Sequence, residues 1–121
     1  MSYVDGFVLV VPKKKLKAYR AMARLGAQVW KRCGALDYFE CMGDDLHPKH
    51  AVLTFPKLVK LKPGETVWFS FIVFKSRAHR DRVNAKVMKD PVLTSPRNRK
   101  LPMPFDLKRM AYGGFKCIVR G

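Results

Sequence analysis

The stretch Thr66–Lys75, TVWFSFIVFK, decides the fold. Side chains alternate across a strand, so Val67, Phe69, Phe71 and Val73 point one way while Trp68, Ile72 and Phe74 point the other. A strand with one side in water carries polar residues at every second position, so a strand apolar on both faces is central and covered twice. Tyr3–Val11, YVDGFVLVV, repeats the pattern, with Phe7, Leu9 and Val11 on one face and Val4, Val8 and Val10 on the other.

Pro12 heads a helical pattern that ends before Gly34, a suitable C′ residue. Leu16, Tyr19, Ala23, Val29 or Trp30, and Cys33 recur along it at helical spacing. Gly26 costs such a helix roughly 1 kcal/mol relative to Ala, which points to close packing on the sheet. Ala35–Met42, ALDYFECM, reads as a second, less apolar strand carrying Asp37 and Glu40, and residues 43–65 read mostly as loop. Ser76 is placed to N-cap a second helix, RAHRDRVNAKVMK, with Ala78, Val83, Val87 and Met88 as its core stripe and a stop near Asp90-Pro91. Val92–Pro104 reads as a basic loop. Lys108–Val119 reads as the last strand, in which Gly113-Gly114 suggests a bulge or a close backbone contact.

That order, β-α-β-β-α-β, predicts an α+β, ferredoxin-like fold with an antiparallel sheet in the order 4-1-3-2. The first and third strands are then central, and they are the two that are apolar on both faces. Two helices cover one face of such a sheet, so a second copy of the chain is expected on the other, giving a homodimer.

A length of 121 residues and a hydrophobic fraction of 48% fit one packed domain over 1–121. No apolar run approaches the roughly 20 residues that span a bilayer, so membrane insertion is not expected. MSYVDG lacks the basic and apolar segments of a secretory signal. Cys33, Cys41 and Cys117 fit neither a disulfide framework nor a CxxC pair, and together these features predict a cytoplasmic protein. Twenty-five Lys and Arg face nine Asp and Glu, a formal net charge of +16. An excess of that size attracts polyanions such as nucleic acid.

Several segments resemble the YbaA-like family of bacterial proteins of unknown function. They are MSYVDGFV at 1–8, GALDYFECMGDD at 34–45, LKPGETVWFS at 61–70, KSRAHRDRVNAKVMKDP at 75–91 and MPFDLKRMAYGGF at 103–115. The resemblance implies membership of the dimeric α/β-barrel proteins, in which two ferredoxin-like subunits pack sheet against sheet. It also implies a ligand pocket between sheet and helices. The wider superfamily includes cofactor-free monooxygenases, heme-degrading enzymes and chlorite dismutases, and the resemblance brings no agreed catalytic residues. The chain departs from the family in its basicity, notably at PRNRK, 96–100.

The topology brings the start of the first strand, the end of the third and the start of the second helix to one end of the sheet. Asp5, Lys75, Arg77 and His79 are the catalytic candidates there, with Asp37 as a further neighbour. A carboxylate beside an imidazole fixes its tautomer and makes a general base, while Arg77 and Lys75 suit an anionic substrate or oxyanion. The same grouping also reads as ion pairs that tie strand to helix. His47 and His50, in HPKH beside Asp44 and Asp45, have the look of metal ligands, but Lys49 and the lack of a further His or Cys nearby argue against a cation, so no metal is assigned. No dinucleotide, phosphate-loop, nucleophile-elbow or HExxH motif occurs, and the cofactor is left open.

Three functions follow. The first is a dimer binding a small anionic or aromatic ligand, with monooxygenase-like chemistry as its enzymatic form. The second is a polyanion binder using the basic helical face, Lys13 to Arg32 with Arg77 to Lys89, through weak, non-specific backbone contacts. The third is a structural dimer without ligand.

Overall fold

The computed structural model describes residues 2–100 and 103–121, apart from the Arg99 side chain. β1 (Tyr3–Pro12) leads through one 3-10 turn at Lys13–Lys15 into α1 (Leu16–Cys33) and β2 (Asp37–Met42). A long connection carries the one-turn helix α2 (Phe55–Leu58) and leads to β3 (Glu65–Phe74) and α3 (Arg77–Met88). Two more single turns, α4 (Pro91–Thr94) and α5 (Pro96–Arg99), precede a 3-10 turn at Leu107–Arg109 and β4 (Ala111–Lys116). The antiparallel sheet runs β2-β3-β1-β4, which is the expected 4-1-3-2 order read from the other edge.

α1 ends where expected. Gly34 sits at φ 120°, and its N–H donates to the carbonyls of Lys31 and Trp30. Gly26 is required for contact, because a Cβ there would stand 2.7 Å from the Tyr38 hydroxyl. α3 is capped by the Ser76 hydroxyl, which accepts from the His79 N–H.

Other expectations are corrected. Residues 92–104 are not uniformly loop: Asp90 accepts from the Val92 N–H, Ser95 from the Asn98 N–H, and each caps a short helix that begins with proline. Leu101 and Pro102 of that segment lie outside the described residues. The core stripe of α3 is Arg80, Val83, Asn84 and Val87. Ala78 is exposed and Met88 is 68% exposed, because two polar residues take the inward positions to meet partners on the sheet and on α1. β4 is shorter than expected, and Gly113-Gly114 form no bulge, pairing in register with Gly6 and Asp5. Their need is close approach, since a Cβ on Gly114 would strike the Tyr3 ring.

The two faces of the sheet differ. Tyr3, Ile72 and Phe74 pack with Val29, Val83 and Val87, while Leu9, Val11 and Trp68 pack with Tyr19 and Ala23, so α1 and α3 cover one face. On the other face only Val10 and Val67 are sealed, by Val59 with Leu46 and Leu61 of the long connection. Phe69 and Phe115 stay 46% and 61% exposed around an open apolar hollow of about 570 Å³, and Phe39, stacked on Phe71 beside it, stays 45% exposed. No helix among the described residues is long and apolar enough to cross a membrane.

Candidate functional site

The helix-covered face of β3 reads Thr66, Trp68, Ser70, Ile72, Phe74, and between Trp68 and Phe74 its one polar member is Ser70. Its cross-strand partner on β2 is Glu40, and Tyr38 and Met42 share that face. Above them α1 presents Ala23 and Gly26, which let the helix lie close while Tyr19 reaches inward. Between helix and sheet lies a chamber of about 360 Å³, with Phe7, Trp30, Ile72 and Phe105 among its walls.

Glu40 is the only charged residue lining this chamber among those described. Oε1 accepts from the Tyr19 hydroxyl at 2.6 Å and from the Ser70 hydroxyl, and Oε2 accepts from the Tyr38 hydroxyl at 2.8 Å. Three hydroxyls thus replace the water that a half-buried carboxylate would otherwise hold. Burial, reinforced by the adjacent Glu40 charge, pushes both phenols well above the ordinary tyrosine value, so they remain donors. Aromatic rings frame the group: Tyr19 meets Trp68 with ring centroids 4.8 Å apart, and Trp30 meets Tyr38 at 6.0 Å.

The candidates anticipated from sequence lie elsewhere. Asp5 is 1% exposed on the same face of β1, where it accepts from Arg80 Nη1 at 3.2 Å. Arg80 also donates to the hydroxyls of Tyr112 at 2.9 Å and Tyr3 at 3.3 Å. Asn84 joins this network to α1, its side-chain oxygen accepting from Trp30 Nε1 at 3.0 Å. Burial raises the Asp5 carboxyl, and Arg80 acts against that rise.

His79, one residue before Arg80, faces a different neighbourhood. Its Nδ1 accepts from the Lys75 backbone N–H at 3.0 Å, and its Nε2 approaches Gly34 at the end of α1. Burial, then the charges of Lys75, Arg82 and Lys86, lower the imidazole, which favours its neutral form. Lys75 and His79 are therefore brought together, while Asp5 belongs to the Arg80 network. Arg77 is exposed in the first turn of α3, and Asp37 is exposed on β2, on the open face of the sheet.

Sequence reasoning did not single out Glu40, Tyr19, Tyr38 or Ser70. The available signal was Ser70, the lone polar residue in the run from Val67 to Phe74 that is otherwise apolar on both faces.

A crystal structure of a dimeric ferredoxin-like protein from an uncultured marine organism superposes with a TM-score of 0.55. The match covers 98% of this chain and 96% of that one at 12% identity, and it shows the shared ferredoxin-like fold. Across 119 residues, 98% of both chains, the sequence is 44% identical to the uncharacterized protein YbaA of Escherichia coli K12. It matches the YbaA protein of Shigella flexneri equally. Residues 2–107 match the family described as protein of unknown function DUF1428. Together the family match and the full-length identity establish that the chain belongs to the DUF1428 family, the YbaA-like proteins.

Proposed function

We propose that the chain, as a single domain over 1–121, pairs sheet to sheet with a second copy and takes a small aromatic molecule into the chamber between sheet and helices. The observation that carries the ligand reading is Glu40, a carboxylate held by three hydroxyls and set in otherwise apolar and aromatic walls. Such a combination, mostly apolar with a few convergent polar groups, is the usual make-up of a small-molecule site. An anionic ligand, the other option open from sequence, would meet the Glu40 charge, so the aromatic option stands.

The homodimer rests on the open face. Phe39, Phe69 and Phe115 form an exposed apolar surface that the long connection covers only in part, and the marine structural neighbour is described as dimeric. An obligate interface would bury on the order of 2,000 Å² or more. All three cysteines are free, which supports a reducing, cytoplasmic setting.

Catalysis at Asp5, Lys75, Arg77 and His79 is the weaker reading, because the polar groups of Asp5 and His79 are already engaged with Arg80, Lys75 and Gly34. The basic face formed by the 3-10 turn at Lys13–Lys15 and by Lys17, Arg20 and Arg24 of α1, all exposed with no acid in the first turn, supports weak polyanion binding beside the main function.

Native mass spectrometry of the purified protein tests the reading. The expected result is a dimer that carries a small molecule lost on acid denaturation, or that takes up small aromatic molecules with saturation. A monomer at micromolar concentration would end the dimer proposal, and an empty protein that takes up no aromatic probe would end the ligand proposal.

A further inference from the structure

The nine acidic side chains fall into three groups. Asp5, Glu65, Asp81, Asp90 and Asp106 each form an ion pair with an arginine. Asp37, Asp44 and Asp45 are exposed to solvent. Among the described residues Glu40 alone is half-buried with no ion pair, in a chain with 25 Lys and Arg. Arg20 and Arg24 line a neighbouring cleft that also touches Glu40, yet both are exposed, and the described hydrogen bonds to Glu40 come only from hydroxyls.

A carboxylate has about four acceptor positions, two on each oxygen. On Glu40 both positions of Oε1 are filled by Tyr19 and Ser70, and one of Oε2 by Tyr38. Among the described residues nothing fills the remaining position on Oε2. Tyr19, Tyr38 and Ser70 can give no further proton to a second acceptor while they serve Glu40, so the centre presents negative charge and accepting capacity. The aromatic rings around it add negative π-faces, which attract cations.

We propose that the chamber takes a hydrophobic organic cation, an amine on a one- or two-ring skeleton, whose N–H fills the open position on Oε2 of Glu40 while its rings lie against the aromatic walls. This rests on the ligand-binding role proposed for the chamber and names the chemical class. A charge-assisted bond of this kind is roughly twice as strong as a neutral one. The chamber volume of about 360 Å³ suits a compact ligand. The long-range field of a +16 chain favours anions, so a preference for cations has to come from the site itself.

The test titrates phenethylamine, 2-phenylethanol and phenylacetate into the full-length protein at physiological salt, read by calorimetry and by tryptophan fluorescence. The expected order is amine tightest, by about tenfold over the alcohol, with the carboxylate weakest. Glu40→Gln should bring amine and alcohol to equal affinity while the alcohol still binds. An amine no tighter than the alcohol, or a carboxylate that binds best, overturns the cation assignment and leaves the chamber reading standing. Failure of all three to bind overturns both. Should Glu40→Gln not fold, the ranking on the unsubstituted protein decides the matter by itself, and a preference that survives in a folded Glu40→Gln overturns the assignment.

Discussion

Asp5 and Glu40 lie on the same face of one sheet, two strands apart, and they are satisfied in opposite ways. Asp5 is 1% exposed, accepts from Arg80, which also donates to the Tyr3 and Tyr112 hydroxyls, and joins Asn84 and the rest of α3 to the central strand. Among the described residues Glu40 meets hydroxyls only, and it borders an open chamber. A buried carboxylate matched with a cation is a structural tie, because its charge has been answered inside the protein. A carboxylate given donors but no cation keeps its charge available to something that arrives from outside.

The largest effect should come from removing the answer to Asp5. Arg80→Met leaves a buried carboxylate unpaired and should cost about 3 kcal/mol, a fall of roughly 10 °C in melting temperature. The sign with pH follows from the raised Asp5 carboxyl. Burial makes its ionisation costlier in the fold than in the unfolded chain, so the stability tied to its protonated form is present at acid pH and lost as pH rises through the folded value. Without Arg80 to oppose the rise, the variant should come closest to the parent at acid pH and fall furthest behind near neutrality. Denaturant melts at pH 4 and pH 7 check this, and a deficit independent of pH would count against it.

Next in size is the half-buried clamp at Arg109, which forks onto Glu65 at 2.8 and 2.5 Å and also holds Asp106 at 2.8 Å. The hydrogen bonds from Arg109 lower the Glu65 carboxyl to about 2. A depressed carboxyl stabilises the fold above its unfolded value, near 4.5, and that stability is lost as pH falls through about 2. Arg109→Gln should therefore lower stability at pH 6, and the difference from the parent should shrink between pH 4.5 and 2. A gap that persists at pH 2 would mean that Arg109 acts through packing instead.

Much of this contrast was hidden in the sequence, for reasons that differ by residue. The double-sided strands β1 and β3 announced themselves, because alternation survives any register, and the sheet order followed from them. Glu40 did not, since a charged residue on a less apolar edge strand looks like a solvent position until pairing with Ser70 shows which way it faces. Asp5 could be placed near the right end of the sheet, but its partner could not be chosen. The inward stripe of α3 includes Arg80 and Asn84, and a search for apolar periodicity passes over polar residues that face inward to serve a buried charge. The short helices at 55–58, 91–94 and 96–99 were legible in principle, since Thr54, Asp90 and Ser95 are cap residues with proline in the turn that follows.

A smaller effect sharpens the Glu40 side. Gly26→Ala adds a Cβ 2.7 Å from the Tyr38 hydroxyl, so the ring must move and Oε2 of Glu40 loses its donor. The helical gain of roughly 1 kcal/mol offsets an overpacking cost of about 1–3 kcal/mol, so stability should change little while amine affinity changes clearly. Tyr38→Phe in the same chain removes the clashing oxygen, and a stability deficit that this second change fails to reduce would show that the contact lies elsewhere. Smallest of all, His79→Ala should lose about 1 kcal/mol with its hydrogen bond to Lys75 and leave ligand binding untouched. Loss of a measured activity at constant melting temperature would instead restore His79 as a catalytic base.

The most direct measurement is a set of melting curves for the parent, Arg80→Met and Glu40→Gln at equal protomer concentration, each with and without phenethylamine. A ligand that binds only the folded state raises the melting temperature by mass action. Arg80→Met should melt roughly 10 °C low yet keep the parent's amine-induced rise, whereas Glu40→Gln should melt within about 3 °C of the parent and lose the rise. A Glu40→Gln protein that still responds to the amine, or an Arg80→Met protein that melts like the parent but no longer responds, would reverse the roles assigned to the two carboxylates.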